Sequence, residues 1–114
     1  MNHLLSAATH FIDVYHANQR LVAQQRGWTL AIGLVAVDSG ATVVVQVKDG
    51  HVIQLCEENL VADMAITAEQ NTLCDILELR RSPNEPYMFG ELTVRGAEAD
   101  FLRLDYIATT LCPL

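Results

Sequence analysis

Basic residues are scarce in this chain. Seven lysines and arginines stand against fourteen aspartates and glutamates, for a formal net charge of −7. A domain this acidic repels phosphate backbones, which argues against nucleic-acid binding. It also argues against purely electrostatic docking on anionic lipid headgroups, though not against uptake of a lipid's apolar part. Cysteine is sparse too: Cys56, Cys74 and Cys112 are spread singly, with no CxxC. An odd, dispersed set excludes a disulfide framework and fits a reducing compartment. No run approaches the ~18–20 apolar residues that span a bilayer, and no basic segment followed by an apolar core opens the sequence. The expectation is a soluble, cytoplasmic protein.

Catalytic signatures are missing as well. His3, His10, His16 and His51 contain no i, i+4 pair and no HExxH, so no metal site is expected. Ser6, Ser39 and Ser82 lack a GxSxG context. No cysteine has a basic sequence neighbour that would lower its pKa. Glu57, Glu58 and Glu85 read as solvated turn and loop residues. Asp63, Glu91 and Asp105 lie on apolar elements but out of phase with the apolar positions, and are expected to face solvent. Without GxGxxG or a P-loop, no nucleotide cofactor is indicated. The expectation is no catalytic residue, no metal and no cofactor, and a protein that is not an enzyme.

What the chain has is apolar substance. Hydrophobic residues make up 51% of 114 residues and charged ones 18%. That is ample to offset ordering entropy in one domain spanning residues 1–114. Residues 2–25 have helical rhythm through Leu4, Leu5, Ala8, Phe11, Ile12 and Tyr15. Asn18 can cap a second turn, so this is one helix or two with a bend, ended by Gly27. Strands are predicted at 28–37, 41–47 and 51–56, joined by Asp38-Ser39-Gly40 and Lys48-Asp49-Gly50 turns into an antiparallel meander. A fourth strand is expected at 60–66. Thr67 to Gln70 then fits a capping box for a helix running to about Arg80. Pro83 and Pro86 predict a loop at 82–86, followed by a fifth strand at 87–95. Gly96 breaks that strand, and a final helix from Ala97 to about Leu111 carries Phe101, Leu104, Ala108 and Leu111 as a stripe, with Ile107 beside it.

Three segments resemble the sterol carrier protein domain family, sterol-binding type. In 88–107 (MFGELTVRGAEADFLRLDYI), Gly90, Leu92, Val94 and Gly96 match a Gly-x-Leu-x-Val-x-Gly strand that leads into an amphipathic helix. Residues 61–77 (VADMAITAEQNTLCDIL) look like the family's strand ending in Ala-Asp, then a β-step and a capped helix. Residues 43–52 (VVVQVKDGHV) look like its Asp-Gly hairpin. The element order agrees over nearly the whole chain. The resemblance implies an α+β fold: a five-stranded, mainly antiparallel sheet with helices packed on one face. It also implies an apolar tunnel between them that takes fatty acyl groups, sterols or other lipids, with no catalytic residues. Some stand-alone bacterial members of the family are accessory factors in ubiquinone biosynthesis; others are appended to enzymes. The ending Cys112-Pro113-Leu114 is not the peroxisomal tripeptide of eukaryotic members, so a bacterial or cytosolic setting is expected.

Two functions follow. One is a non-catalytic carrier of a lipid, fatty acyl or isoprenoid ligand between the sheet and the C-terminal helix, with transient membrane contact. Its binding residues would be Met64 and Ile66 from the fourth strand, Met88 and Leu92 from the fifth, and Phe101, Leu104 and Ile107 from the last helix. Methionines adapt their shape and suit such pockets, although these residues serve equally as core. The other is an interaction module whose outer sheet face, with Ala31, Val35 and Val37, forms a homodimer or docks on a partner enzyme.

Overall fold

A computed structural model describes residues 3–57 and 61–112. Helix α1 spans His3–Ala17 and α2 spans Gln19–Gln24. The break between them lies at Asn18, whose side-chain oxygen accepts from the Leu21 N–H at 3.0 Å. Two helices with a capped bend is therefore the correct alternative.

The meander follows as β1 (Leu30–Ala36), β2 (Thr42–Lys48) and β3 (His51–Cys56), all antiparallel neighbours. Lys48 faces His51, leaving a two-residue turn of Asp49 and Gly50, both at positive φ. This is the hairpin geometry that favours Asp-Gly. Gly50 is needed for space as well, since a Cβ there would lie 2.7 Å from the Gln25 carbonyl oxygen.

Strand β4 (Met64–Ala68) pairs with β1 in parallel, and β5 (Leu92–Arg95) pairs antiparallel with β4. The sheet order is β3-β2-β1-β4-β5. The architecture is α+β with a five-stranded, mainly antiparallel sheet, as expected. Leu30, Ile32, Leu34 and Ala36 on β1 share one face with Val43, Val45 and Val47 on β2 and with Met64, Ile66 and Ala68 on β4. That face meets Leu4, Ala7 and Ala8 of α1 and Leu73, Cys74 and Ile76 of α3 (Gln70–Leu77) in the main core. On the opposite face, Ala62 lies against Gly33, where a Cβ would come within 3.3 Å of its own.

Several boundaries differ from the sequence expectation, each for a reason outside local pattern. The fourth strand begins at Met64, not at residue 60; Leu60 lies outside the described residues. Asp63 precedes the strand and holds Ala31 instead, donating its N–H to the Ala31 carbonyl and accepting the Ala31 N–H on its carboxylate, both at 2.8 Å. Thr67 is not a helix cap. It lies within β4, opposite Thr93, and the cap position belongs to Glu69, whose side chain makes no capping bond. The α3 cap is tertiary: Asp38, from the β1–β2 turn, accepts the Gln70 N–H at 2.8 Å, and the Ser39 hydroxyl donates to the Gln70 side chain. The helix also stops early. Leu79 turns left-handed at φ 65°, and the Arg80 N–H returns to the Asp75 carbonyl at 2.8 Å, which closes the end. Arg80 instead pairs with Asp75 and Glu78 from beyond the helix.

Residues expected to be loop and strand form a short helix, α4 (Asn84–Met88). Pro86 sits in its first turn, where backbone N–H groups have no helical partner, so the missing donor costs no hydrogen bond. Consequently β5 is only four residues long. Gly96 ends it at φ 134°, and a Cβ there would lie 2.8 Å from the Asp63 carbonyl oxygen. Glycine is therefore required where β5 crosses the start of β4. Helix α5 (Glu98–Leu111) follows with Glu98 and Asp100 in its first turn. Among the described residues no helix is long and apolar enough to cross a membrane.

Candidate ligand-binding site

Between the helices and the inner sheet face lies a cavity of about 70 Å³. Helix α1 contributes Ala8, Phe11, Ile12 and Tyr15, the positions its 3.6-residue period puts on one face. The sheet contributes Ile32, Leu34, Val45, Val47 and Val52, then Ile66 and Leu92. Leu73, Ile76 and Leu77 of α3 and Leu104, Ile107 and Ala108 of α5 close it, together with Trp28 and Pro83.

Among the described residues the lining carries no ionisable group except the Tyr15 phenol, and the polar atoms of its two amphipathic rings are engaged elsewhere. The Tyr15 hydroxyl donates to the Gly50 carbonyl at 2.5 Å, clipping the end of α1 to the β2–β3 turn. The Trp28 indole N–H donates to Asp100 at 3.1 Å. Burial pushes the Tyr15 phenol up, with the Arg103 guanidinium acting the other way. The phenol is thus a neutral hydrogen-bond donor. Selection in such a space comes from shape and apolar area, at about 25 cal/mol per Å².

Of the seven residues chosen from sequence, four line the cavity: Ile66, Leu92, Leu104 and Ile107. Met64 is fully buried in the main core but lies outside the lining. Phe101 is also core, its ring 4.8 Å from that of Tyr87. Met88 is displaced, because the predicted strand is helix there; it lies on α4 with 73% of its surface exposed. Sequence reasoning missed the α1 and α3 contributions. Phe11, Ile12 and Tyr15 were visible as an apolar stripe, but a stripe does not say which other element it faces.

The polar candidates that the structure describes are held in separate contacts. Among the described residues no group of His, Cys, Asp and Glu could hold a metal ion. His16 accepts the Val52 N–H at 3.1 Å, and its ring centroid lies 6.2 Å from that of His51. Cys74 is buried, and desolvation, then the charges of Glu78 and Asp75, push its thiol up, which keeps it protonated. Glu91 is exposed and pairs with Arg81, in line with expectation. Asp105 is not solvated as expected. Its Oδ1 is buried without a hydrogen-bond partner, and desolvation pushes the carboxyl up, opposed by the backbone N–H of Asn84.

The crystal structure of sterol carrier protein 2 superposes with a TM-score of 0.66, covering 94% of this chain and 91% of that one at 20% identity. The chain has the sterol carrier protein 2 fold. A UbiJ-SCP2 ubiquinone synthesis protein with this fold matches at a TM-score of 0.69 and 13% identity, over 95% of this chain and 94% of that one. The sec-alkylsulfatase Pisa1 from Pseudomonas sp. matches at 0.61 and 15% identity, over 75% of this chain but 14% of its own, so there the fold is a small part of a larger enzyme. No family model and no curated protein matches the sequence.

Proposed function

We propose that this protein is a non-catalytic carrier of an apolar ligand, of lipid, fatty acyl or isoprenoid type, held between the sheet and helices α1, α3 and α5. The observation that carries the reading is the cavity: a wall of apolar side chains from every layer of the fold, with its tyrosine and tryptophan polar atoms turned to other partners. The likeness to sterol carrier protein 2 supports a lipid, and the likeness to a ubiquinone synthesis protein supports an isoprenoid and an accessory role. Three unpaired cysteines fit a reducing, cytoplasmic setting. Ligand pockets commonly measure ~300–1,000 Å³, so a bound lipid chain must part the walls of this 70 Å³ cavity. Native mass spectrometry of the purified protein should show co-purified lipid. Protein that emerges empty, and leaves fluorescent fatty acids and isoprenoids unbound, sinks the reading.

The second reading is a docking module, as a homodimer or on an enzyme. It draws on the exposed Val37 and on the placement of this fold within an alkylsulfatase. The contact of Ala62 with Gly33 limits how much of the outer face is open. Light scattering that finds a monomer, with no partner retained in pull-downs, counts against it.

A further inference from the structure

In a chain with so few cations, Arg103 is set apart by how its head is held. Arg80 and Arg81 are paired with acids. Arg103, on α5, makes no ion pair among the described residues. Asp100, one turn earlier, gives its Oδ1 to the Trp28 indole. Two contacts hold the Arg103 guanidinium in place. Its Nη1 donates to the side-chain oxygen of Gln25 at 2.7 Å, and Gln25 is itself 2% exposed. Its central carbon lies 5.7 Å from the centroid of the Trp28 ring. A guanidinium has five N–H donors in a fixed fork, and one of them is engaged here. The head opens on a surface groove lined by Gln24, Gln25, Ala99, Leu102, Arg103 and Tyr106.

Trp28 connects this groove to the ligand site. The ring that carries Arg103 also lines the apolar cavity. Leu104, the next residue of α5, faces the cavity while Arg103 lines the groove. A chain that parts the cavity wall at Trp28 therefore emerges beside a cation that makes no ion pair among the described residues. We propose that Arg103 is the head-group site of this carrier, and that its ligand is an amphiphile with an anionic carboxylate or phosphate on an apolar chain. The inference rests on the carrier reading above and adds the chemistry of the ligand's polar end.

The test compares each anion with its uncharged alcohol: hexadecanoate with hexadecanol, and farnesyl phosphate with farnesol, at neutral pH and low salt. Charge-assisted hydrogen bonds of this kind correspond to a preference of about tenfold for the anion, and it should shrink as salt is added. A preference within the fatty-acid pair identifies a carboxylate head, and one within the isoprenoid pair a phosphate. Arg103→Gln should remove the preference and leave alcohol binding unchanged. Should Arg103→Gln disturb the fold, Arg103→Lys retains the charge without the fork and should weaken the preference several-fold. Equal binding of anion and alcohol by the native protein overturns the proposal, as does a preference that persists unchanged in the variants. Failure of all four compounds to bind overturns the carrier reading itself, so the two failures are distinguishable.

Discussion

Ile107 offers the sharpest test of the cavity. It lies on α5, is 2% exposed, and contacts the cluster of Tyr15, Leu21 and Val22 while lining the cavity. Ile107→Ala removes three buried carbons, about 2.4 kcal/mol at about 0.8 kcal/mol each. The void left behind raises the expected loss to about 3–4 kcal/mol. At this chain length that lowers Tm by about 4 °C per kcal/mol. The enlarged void stays apolar, so it should remain dry and accept hydrocarbon. A fatty acid at about 100 times its Kd should then return about 2.7 kcal/mol of stability. Urea unfolding followed by circular dichroism, with and without fatty acid, reads both effects. A loss below about 1 kcal/mol, or a variant that ligand does not stabilise, would refute the placement of Ile107 between cavity and core.

Trp28 is the only tryptophan in the chain and lines the cavity, so saturating an apolar ligand should shift its emission; an unchanged spectrum on saturation places the ligand elsewhere. Asp38→Ala should cost about 1 kcal/mol through loss of the α3 cap, whereas Thr67→Ala should show no capping loss; chemical denaturation of the two variants compares them. Asp105 has a raised folded-state pKa, so its ionisation opposes folding. That penalty is complete above the folded pKa and vanishes below the unfolded one, near 3.8. Asp105→Asn should accordingly raise Tm at pH 7, modestly because water screens a partly exposed carboxyl. The gain should fade as the pH approaches 3.5, and a gain that is constant with pH contradicts the assignment.

Local pattern was sufficient for the elements whose signals are local. The Asn18 cap, the Asp49-Gly50 hairpin and the apolar periods of α1 and α5 are each decided within a few residues, and each stands in the structure. The motif from Gly90 to Gly96 is legible for the same reason: alternation directs Leu92 inward, and Gly96 marks a close backbone crossing. What required the tertiary structure was every feature in which distant segments compete with local preference. Asp38 takes over the cap that Thr67 was expected to provide, because the β1–β2 turn comes within hydrogen-bonding distance of α3. Met88 lies outside the cavity because α4 forms where alternation suggested a strand. The cavity itself is a property of three layers at once. Sequence period shows that a residue faces inward, and only the packing of the opposite wall decides whether it meets another side chain or an empty space.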